Sequence, residues 1–159
     1  MPASKLILLA EDNPNDAELI LYALADHPVS NQVVVAHNGA EALDYLFRQR
    51  AFKHRAEPDP ALVLLDLNMP KVDGLEVLQK LKADEQLKTI PAVMMSSSRL
   101  EPDLARSYEL GANAYVVKPV EFPRFVDTIK QIANFWAFIN EPPPAAARMR
   151  TQPAERHYV

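Results

Sequence analysis

The sequence predicts an α/β fold, a doubly wound sheet of five parallel strands. Two observations carry that reading. Five short apolar runs recur from end to end of the chain. Between them lie segments whose apolar residues fall at helical spacing. Strands alternating with helices build a parallel sheet covered on both faces, and right-handed crossovers distribute the helices over both sides.

LILLA (6–10) is the first strand, and Pro14 suits the first turn of a helix carrying Ala17, Ile20, Leu21 and Leu24 at helical spacing. QVVVA (32–36) is the second strand. A turn at Asn38-Gly39 then opens a helix with Leu43, Leu46 and Phe47 inward. RQRAFKHRAEPDP (48–60) is polar, basic and proline-ended, the end of that helix plus a long loop. ALVLLDL (61–67) is the third strand, and Val77, Leu78 and Leu81 mark a helix that fades at LKADEQLK. PAVMMS (91–96) is the fourth strand, followed by a helix from Glu101 to Leu110 stopped by Gly111. AYVVK (114–118) is the fifth strand, and a last helix runs from about Phe122 to Ile139.

A chain of 159 residues, 48% apolar and 24% charged, is one ordinary domain with a substantial core. A formal charge of −4 with no basic face argues against direct nucleic-acid binding. The absence of cysteine excludes disulfides, thiolate metal sites, thiol catalysis and a thioether-linked chromophore, and fits a reducing compartment. Every apolar run is broken well short of a membrane span, and MPASKLILLA lacks the order of a signal peptide. The expectation is a cytoplasmic protein without membrane association. After Asn140 the composition shifts to EPPPAAARMRTQPAERHYV. The expected organisation is a domain over 1–140 and an extended or disordered tail over 141–159.

The first strand ends in Glu11-Asp12, the third in Asp66, the fourth in Ser96 and the fifth in Lys118-Pro119. In an open α/β sheet the functional crevice lies outside the carboxyl ends, where the strand order reverses. For order 2-1-3-4-5 that point falls between the first and third strands. Glu11, Asp12 and Asp66 would converge there, and three crowded carboxylates call for a hard divalent cation. Mg²⁺ fits best, since it takes one or two carboxylates and keeps exchangeable waters for phosphate oxygens. Ser96 offers a hydroxyl to an oxyanion and Lys118 a cation on a flexible stem. Taken singly, each residue reads as a helix cap, a turn or a loop. Taken together they make a site for a phosphoryl group on Asp66, because an aspartyl carboxylate is a covalent phosphoryl acceptor and a cation with lysine neutralises the transferring group.

AEDN, LLDLNMPKVDG, MMSSS and GANAYVVKP as a set resemble the receiver domain of two-component response regulators, including the single-domain chemotaxis type. The resemblance covers about Lys5 to Ile139 and implies a flavodoxin-like receiver fold. It implies that Asp66 is the phosphorylation site, that Asp12 ligates the metal, that Glu11 acts there through water and that the Asn68 backbone carbonyl completes the shell. It matches Ser96 to the switch hydroxyl, Tyr115 to the aromatic switch and Lys118 to the phosphate-pairing lysine, while Pro70 and Gly74 shape the loop after the acceptor. Glu11 stands where aspartate is more usual and Ser96 where threonine is frequent, which bears on metal affinity and switching. The 48–60 insert, ARSYELGANAYVVKPV and FVDTIKQIANFWAFI look like regulators paired with bacterial phytochrome kinases. That narrower resemblance implies a phosphohistidine donor on a light-sensing sensor histidine kinase.

Phe122, Phe125, Val126, Ile129, Ala133 and Trp136 fall on one side of the last helix, expected to face the sheet. Phe135, Phe138 and Ile139 project off that side and suggest a partner surface, with a symmetric homodimer the first expectation. Signalling would be a population shift: phosphate on Asp66 draws in Ser96, Tyr115 follows, and the fourth-to-fifth-helix face changes its partner preference. Such a chain is a signalling domain rather than a turnover enzyme. One rival is a receiver-like scaffold without phosphotransfer. Another is a dehalogenase-like aspartyl phosphatase, but that family places its nucleophile after the first strand with an aspartate two residues on, where this chain has Asn68. Glycines at 39, 74 and 111 alone cannot build a nucleotide-cradling loop.

Overall fold

The computed structural model of the protein describes residues 5–143. The tail expected over 141–159 therefore falls, from residue 144 on, outside the described residues. Five strands form one sheet in the order β2-β1-β3-β4-β5: β1 (Ile7–Ala10), β2 (Val33–Ala36), β3 (Leu62–Asp66), β4 (Ala92–Ser96) and β5 (Ala114–Val117). All four pairings are parallel. Ala10 stands beside Ala36 and Leu65, Asp66 beside Met95, and Ser96 beside Val117. The carboxyl ends of the strands are thus level, and that brings their terminal residues to one edge.

Five helices cover the sheet: α1 (Pro14–Ala23), α2 (Gly39–Leu46), α3 (Gly74–Ala83), α4 (Glu101–Glu109) and α5 (Phe122–Asn134). Alternation along the strands sends Leu8, Val63, Leu65 and Met94 to one face, where they meet Leu46, Leu78 and Leu81. Ile7, Leu9, Leu64 and Met95 go to the other, against Ile20, Phe125 and Ile129. The three inner strands are buried throughout, so both faces of the sheet are covered and the runs read as continuously apolar. At the end of α4, Gly111 takes φ +106° and its N–H donates to the Tyr108 carbonyl, the left-handed stop that glycine provides.

Of the apolar positions in α1 and its C-cap, Ala17, Ile20, Ala23 and Leu24 are buried and Leu21 is 40% exposed. Two expectations need correction. Phe122 is 49% exposed, because it starts α5 beyond the sheet edge and packs on Tyr22. The last helix is not uniform to Ile139. It changes to a π-helical turn over Phe135–Ile139, closed by Asn140 N–H donating to the Phe135 carbonyl. The wider turn shifts the helical phase, so Ala137 points inward while Trp136 is only half-buried.

The long 48–60 segment is more organised than its polar composition suggests. The Arg55 guanidinium lies 4.1 Å from the Tyr45 ring centre and donates to the Tyr45 and Glu57 carbonyls at 2.8 and 2.6 Å. Arg48 donates to the Arg55 carbonyl at 2.8 Å. Two arginines thus supply the hydrogen bonds that a segment without strand or long helix lacks.

Candidate functional site

The site forms where β1, β3 and β5 end. Directly after β1, Glu11 is buried and Asp12 exposed. Asn13 then caps α1, its Oδ1 accepting from the Asn15 and Asp16 N–H groups at 2.9 and 3.3 Å. The Asn13 N–H donates in turn to Glu11 Oε2 at 3.2 Å, fixing that carboxylate over the sheet edge.

Asp66 is the last residue of β3, and the chain after it turns within a few residues. Val72 N–H donates to the Pro70 carbonyl at 2.8 Å across Lys71, which has φ +67°. This tight three-residue γ-turn reverses the backbone. Asp73 then caps α3, accepting from Glu76 N–H at 2.9 Å. A Cβ on Gly74 would collide with the Asp66 carbonyl, so only glycine lets α3 begin this close beneath Asp66. The sharp turn lets a fully buried strand present one carboxylate at its end without a long loop covering it.

The carboxylate oxygens of Glu11, Asp12 and Asp66 lie within 4.8 Å of one another. Burial pushes the Asp66 carboxyl up to about 8, helped by its hydrogen bond to Glu11 and by that residue's charge. Lys118 and the Asn68 N–H, 3.4 Å from Asp66 Oδ1, work against this and lose. Three hard oxygen donors that cannot comfortably all ionise suit a divalent cation, which would relieve the crowding. The donor set therefore fits the metal that the sequence suggests.

Lys118 follows β5 and reaches back across the edge. Its Nζ donates to Glu11 Oε1 at 2.9 Å and to Asp16 Oδ2 at 2.8 Å, and stands 3.8 Å from Asp66 Oδ1. Burial disfavours the ammonium, but the bonds to Asp16 and Glu11 outweigh it and hold its pKa above the ordinary lysine value. These groups open on a cavity of about 480 Å³ lined by Asp12, Asn13, Asp16, Asp66, Asn68 and Lys118.

Ser96 is brought to the same edge but is fully buried, its Oγ accepting from Ser98 N–H at 3.0 Å. Ser97, not Ser96, lines the cavity. Tyr115 is half-buried, and its hydroxyl donates to the Ser98 carbonyl at 3.0 Å. Ser98 therefore joins the two, and its own Oγ donates to Asp103 at 2.6 Å in the first turn of α4. Sequence reasoning missed Asp16, which reads as an ordinary acid in a capped first turn.

Phe135, Phe138 and Ile139 are 44%, 38% and 61% exposed, at the far end of α5 from the cavity. Phe138 is partly covered by its own chain, with Lys5 Nζ 4.0 Å from its ring centre and the His27 ring 5.6 Å away. Among the described residues, no helix is long and apolar enough to cross a membrane.

Comparison with known proteins places this geometry. The response regulator receiver domain family model matches residues 7–130. The bacteriophytochrome response regulator AtBRR is 56% identical, with a TM-score of 0.69, over 88% of this chain and 100% of that one. The phosphorylated cyanobacterial phytochrome response regulator RcpA is 41% identical, with a TM-score of 0.83, over 89% and 100%. Response regulator Rcp1 of Synechocystis is 36% identical over 132 residues, 83% of this chain and 88% of Rcp1. Its Mn²⁺-bound structure has a TM-score of 0.81 to this one. The chain belongs to the response regulator receiver domain family, a two-component signalling family whose members bind divalent metal, and is homologous to the phytochrome response regulators.

Proposed function

We propose that this protein takes a phosphoryl group from the phosphohistidine of a sensor histidine kinase onto Asp66, with Mg²⁺ as the metal, downstream of a bacteriophytochrome. The observation that carries the reading is the placement of Asp66 within 4.8 Å of two further carboxylates and 3.8 Å from Lys118 at the mouth of an open cavity. Asp12, Asp66, the Asn68 carbonyl and, through water, Glu11 would hold the ion. When bound, the ion supplies charge neutralisation at the acceptor and at the phosphoryl oxygens. Asp66 attacks as the carboxylate, and Lys118 pairs with a phosphoryl oxygen once the group is on.

Ser96 and Tyr115 act as the switch. The inward shift of Ser96 toward a phosphoryl oxygen strains its bond from the Ser98 N–H, and Tyr115 is tied to the carbonyl of that same Ser98. Straining the first bond loosens the second, which carries the signal toward α4 and β5. The phytochrome pairing rests on the names of AtBRR and RcpA together with the 56% and 41% identities. The protein acts in the cytoplasm, as one receiver domain over 1–140, and the exposed Phe135, Phe138 and Ile139 form a homodimer contact. It signals rather than turns over a substrate.

Intact-protein mass spectrometry after incubation with Mg²⁺ and acetyl phosphate tests the acceptor, with Asp66→Asn alongside. The expected result is a gain of one phosphoryl group that needs Mg²⁺ and vanishes in the variant. A gain that survives in Asp66→Asn would show that another residue is the nucleophile.

A further inference from the structure

Lys118 has three N–H donors, and two are committed to Glu11 and Asp16 rather than to the acceptor. At 3.8 Å from Asp66 Oδ1 it is within ion-pair range but too far for a hydrogen bond. Closing that 3.8 Å gap to meet a phosphoryl group on Asp66 draws the ammonium away from the two carboxylates that hold it. The two partners are not equivalent. The Glu11 side chain is 2% exposed and is also tied by Asn13 N–H. The Asp16 side chain is 27% exposed at the cavity mouth and can turn to water at little cost.

We propose that Asp16 is a positioning residue that holds Lys118 off the acceptor, and so limits how fast Asp66 takes up a phosphoryl group. This deepens the acceptor reading and rests on it. In the transfer the phosphorus–oxygen bond of acetyl phosphate breaks as phosphorus bonds to an Asp66 carboxylate oxygen, and acetate leaves with the electron pair. Lys118 assists to the extent that it can shift away from Asp16. A second effect points the same way, because the Asp16 carboxylate faces an anionic donor across the cavity it lines. The two effects separate by salt. Repulsion through solvent fades once the Debye length is short, whereas a direct contact at 2.8 Å persists.

The test is the initial phosphorylation rate with Mg²⁺ and acetyl phosphate for wild type, Asp16→Asn, Asp16→Ala and Asp16→Glu, in low salt and in high salt. A partly exposed ion pair of this kind is worth about two- to fivefold in rate. That gain is expected for Asn and more for Ala, with Glu returning toward wild type and Mg²⁺ affinity by calorimetry unchanged. Lysine-selective ¹H–¹⁵N spectra of the metal-free protein give a readout apart from transfer. The Lys118 Nζ signal should move in Asp16→Asn and stay in Asp16→Glu. A rate at or below wild type in Asp16→Asn would overturn the proposal. A gain that disappears in high salt would reduce Asp16 to a surface charge and overturn it too. If wild type takes no phosphoryl group at all, the acceptor reading falls and this one falls with it, whereas phosphorylation of wild type without a gain in the variants refutes Asp16 alone.

Discussion

Asp66→Asn should stabilise the metal-free protein, and the size of the gain should depend on pH. In the folded chain the Asp66 carboxyl is pushed from 3.8 up to about 8, first by burial and then by Glu11. A carboxyl raised on folding binds more protons folded than unfolded between those two values. Its favourable contribution is complete below about 4 and is lost as pH rises through the window toward 8. At about 1.4 kcal/mol per pH unit the full interval caps the penalty at about 5–6 kcal/mol. Asp66 lines a cavity open to solvent, so roughly half of that should survive relaxation and water entry, about 2–3 kcal/mol.

Asparagine keeps the shape, carries no charge and can donate to Glu11. Urea unfolding in chelator at pH 8.5 and pH 5.5 is the assay. Asp66→Asn should exceed wild type by about 2–3 kcal/mol at pH 8.5, with the advantage shrinking by more than half at pH 5.5. Saturating Mg²⁺ should then stabilise wild type far more than the variant, since an ion that binds only the folded state adds stability by mass action. An advantage that is the same at both pH values, or absent, would refute the claim that ionising the buried Asp66 carboxyl beside Glu11 is the cause.

Three other expectations rest on individual contacts. Lys118→Met leaves buried Glu11 without its cation, so metal-free stability by urea unfolding should fall by about 2–4 kcal/mol, and Mg²⁺ should restore part of it. Gly74→Ala puts a Cβ onto the Asp66 carbonyl, so it should cost at least about 2 kcal/mol in thermal unfolding and slow Mg²⁺-dependent phosphorylation in the fraction that folds. Arg55→Ala removes the Tyr45 stack and the carbonyl bonds that hold the 48–60 segment. Stability should drop by about 1–3 kcal/mol and amide exchange should rise in that segment, with the phosphorylation rate unchanged.

Strand order, parallel pairing and the convergence of Glu11, Asp12, Asp66 and Lys118 on one edge were legible in the sequence. Each rests on a strand end, and short apolar runs mark strand ends well. The failures have separate causes. Phe122 obeys helical spacing yet faces outward, because spacing gives the period of a helix and not its rotation against the sheet. The π turn at Phe135–Ile139 shifts the phase by one residue, which no count at 3.6 residues per turn can anticipate. Asp16 was hidden by a sufficient local explanation: an acid after the Asn13 cap already has a reason to be there. Its role appears only once Lys118, 102 residues later, is folded back against it.

That same contact bears on the order of events at the site. Glu11, Asp16 and Asp66 lie within 3.8 Å of the Lys118 ammonium, and Asp12 adds a further carboxylate beside Glu11 and Asp66. The surplus of negative charge opposes the arrival of an anionic donor, and burial, with Glu11 adding to it, raises the pKa of the Asp66 carboxyl. A divalent cation removes both obstacles at once, since it offsets the surplus and lowers the cost of ionising Asp66. Cation binding should therefore precede phosphoryl transfer, with Lys118 the last group to commit because Glu11 and Asp16 hold it until then. Stopped-flow mixing discriminates: protein preloaded with Mg²⁺ should react with acetyl phosphate without a lag, and a rate independent of Mg²⁺ would break the sequence at its first step.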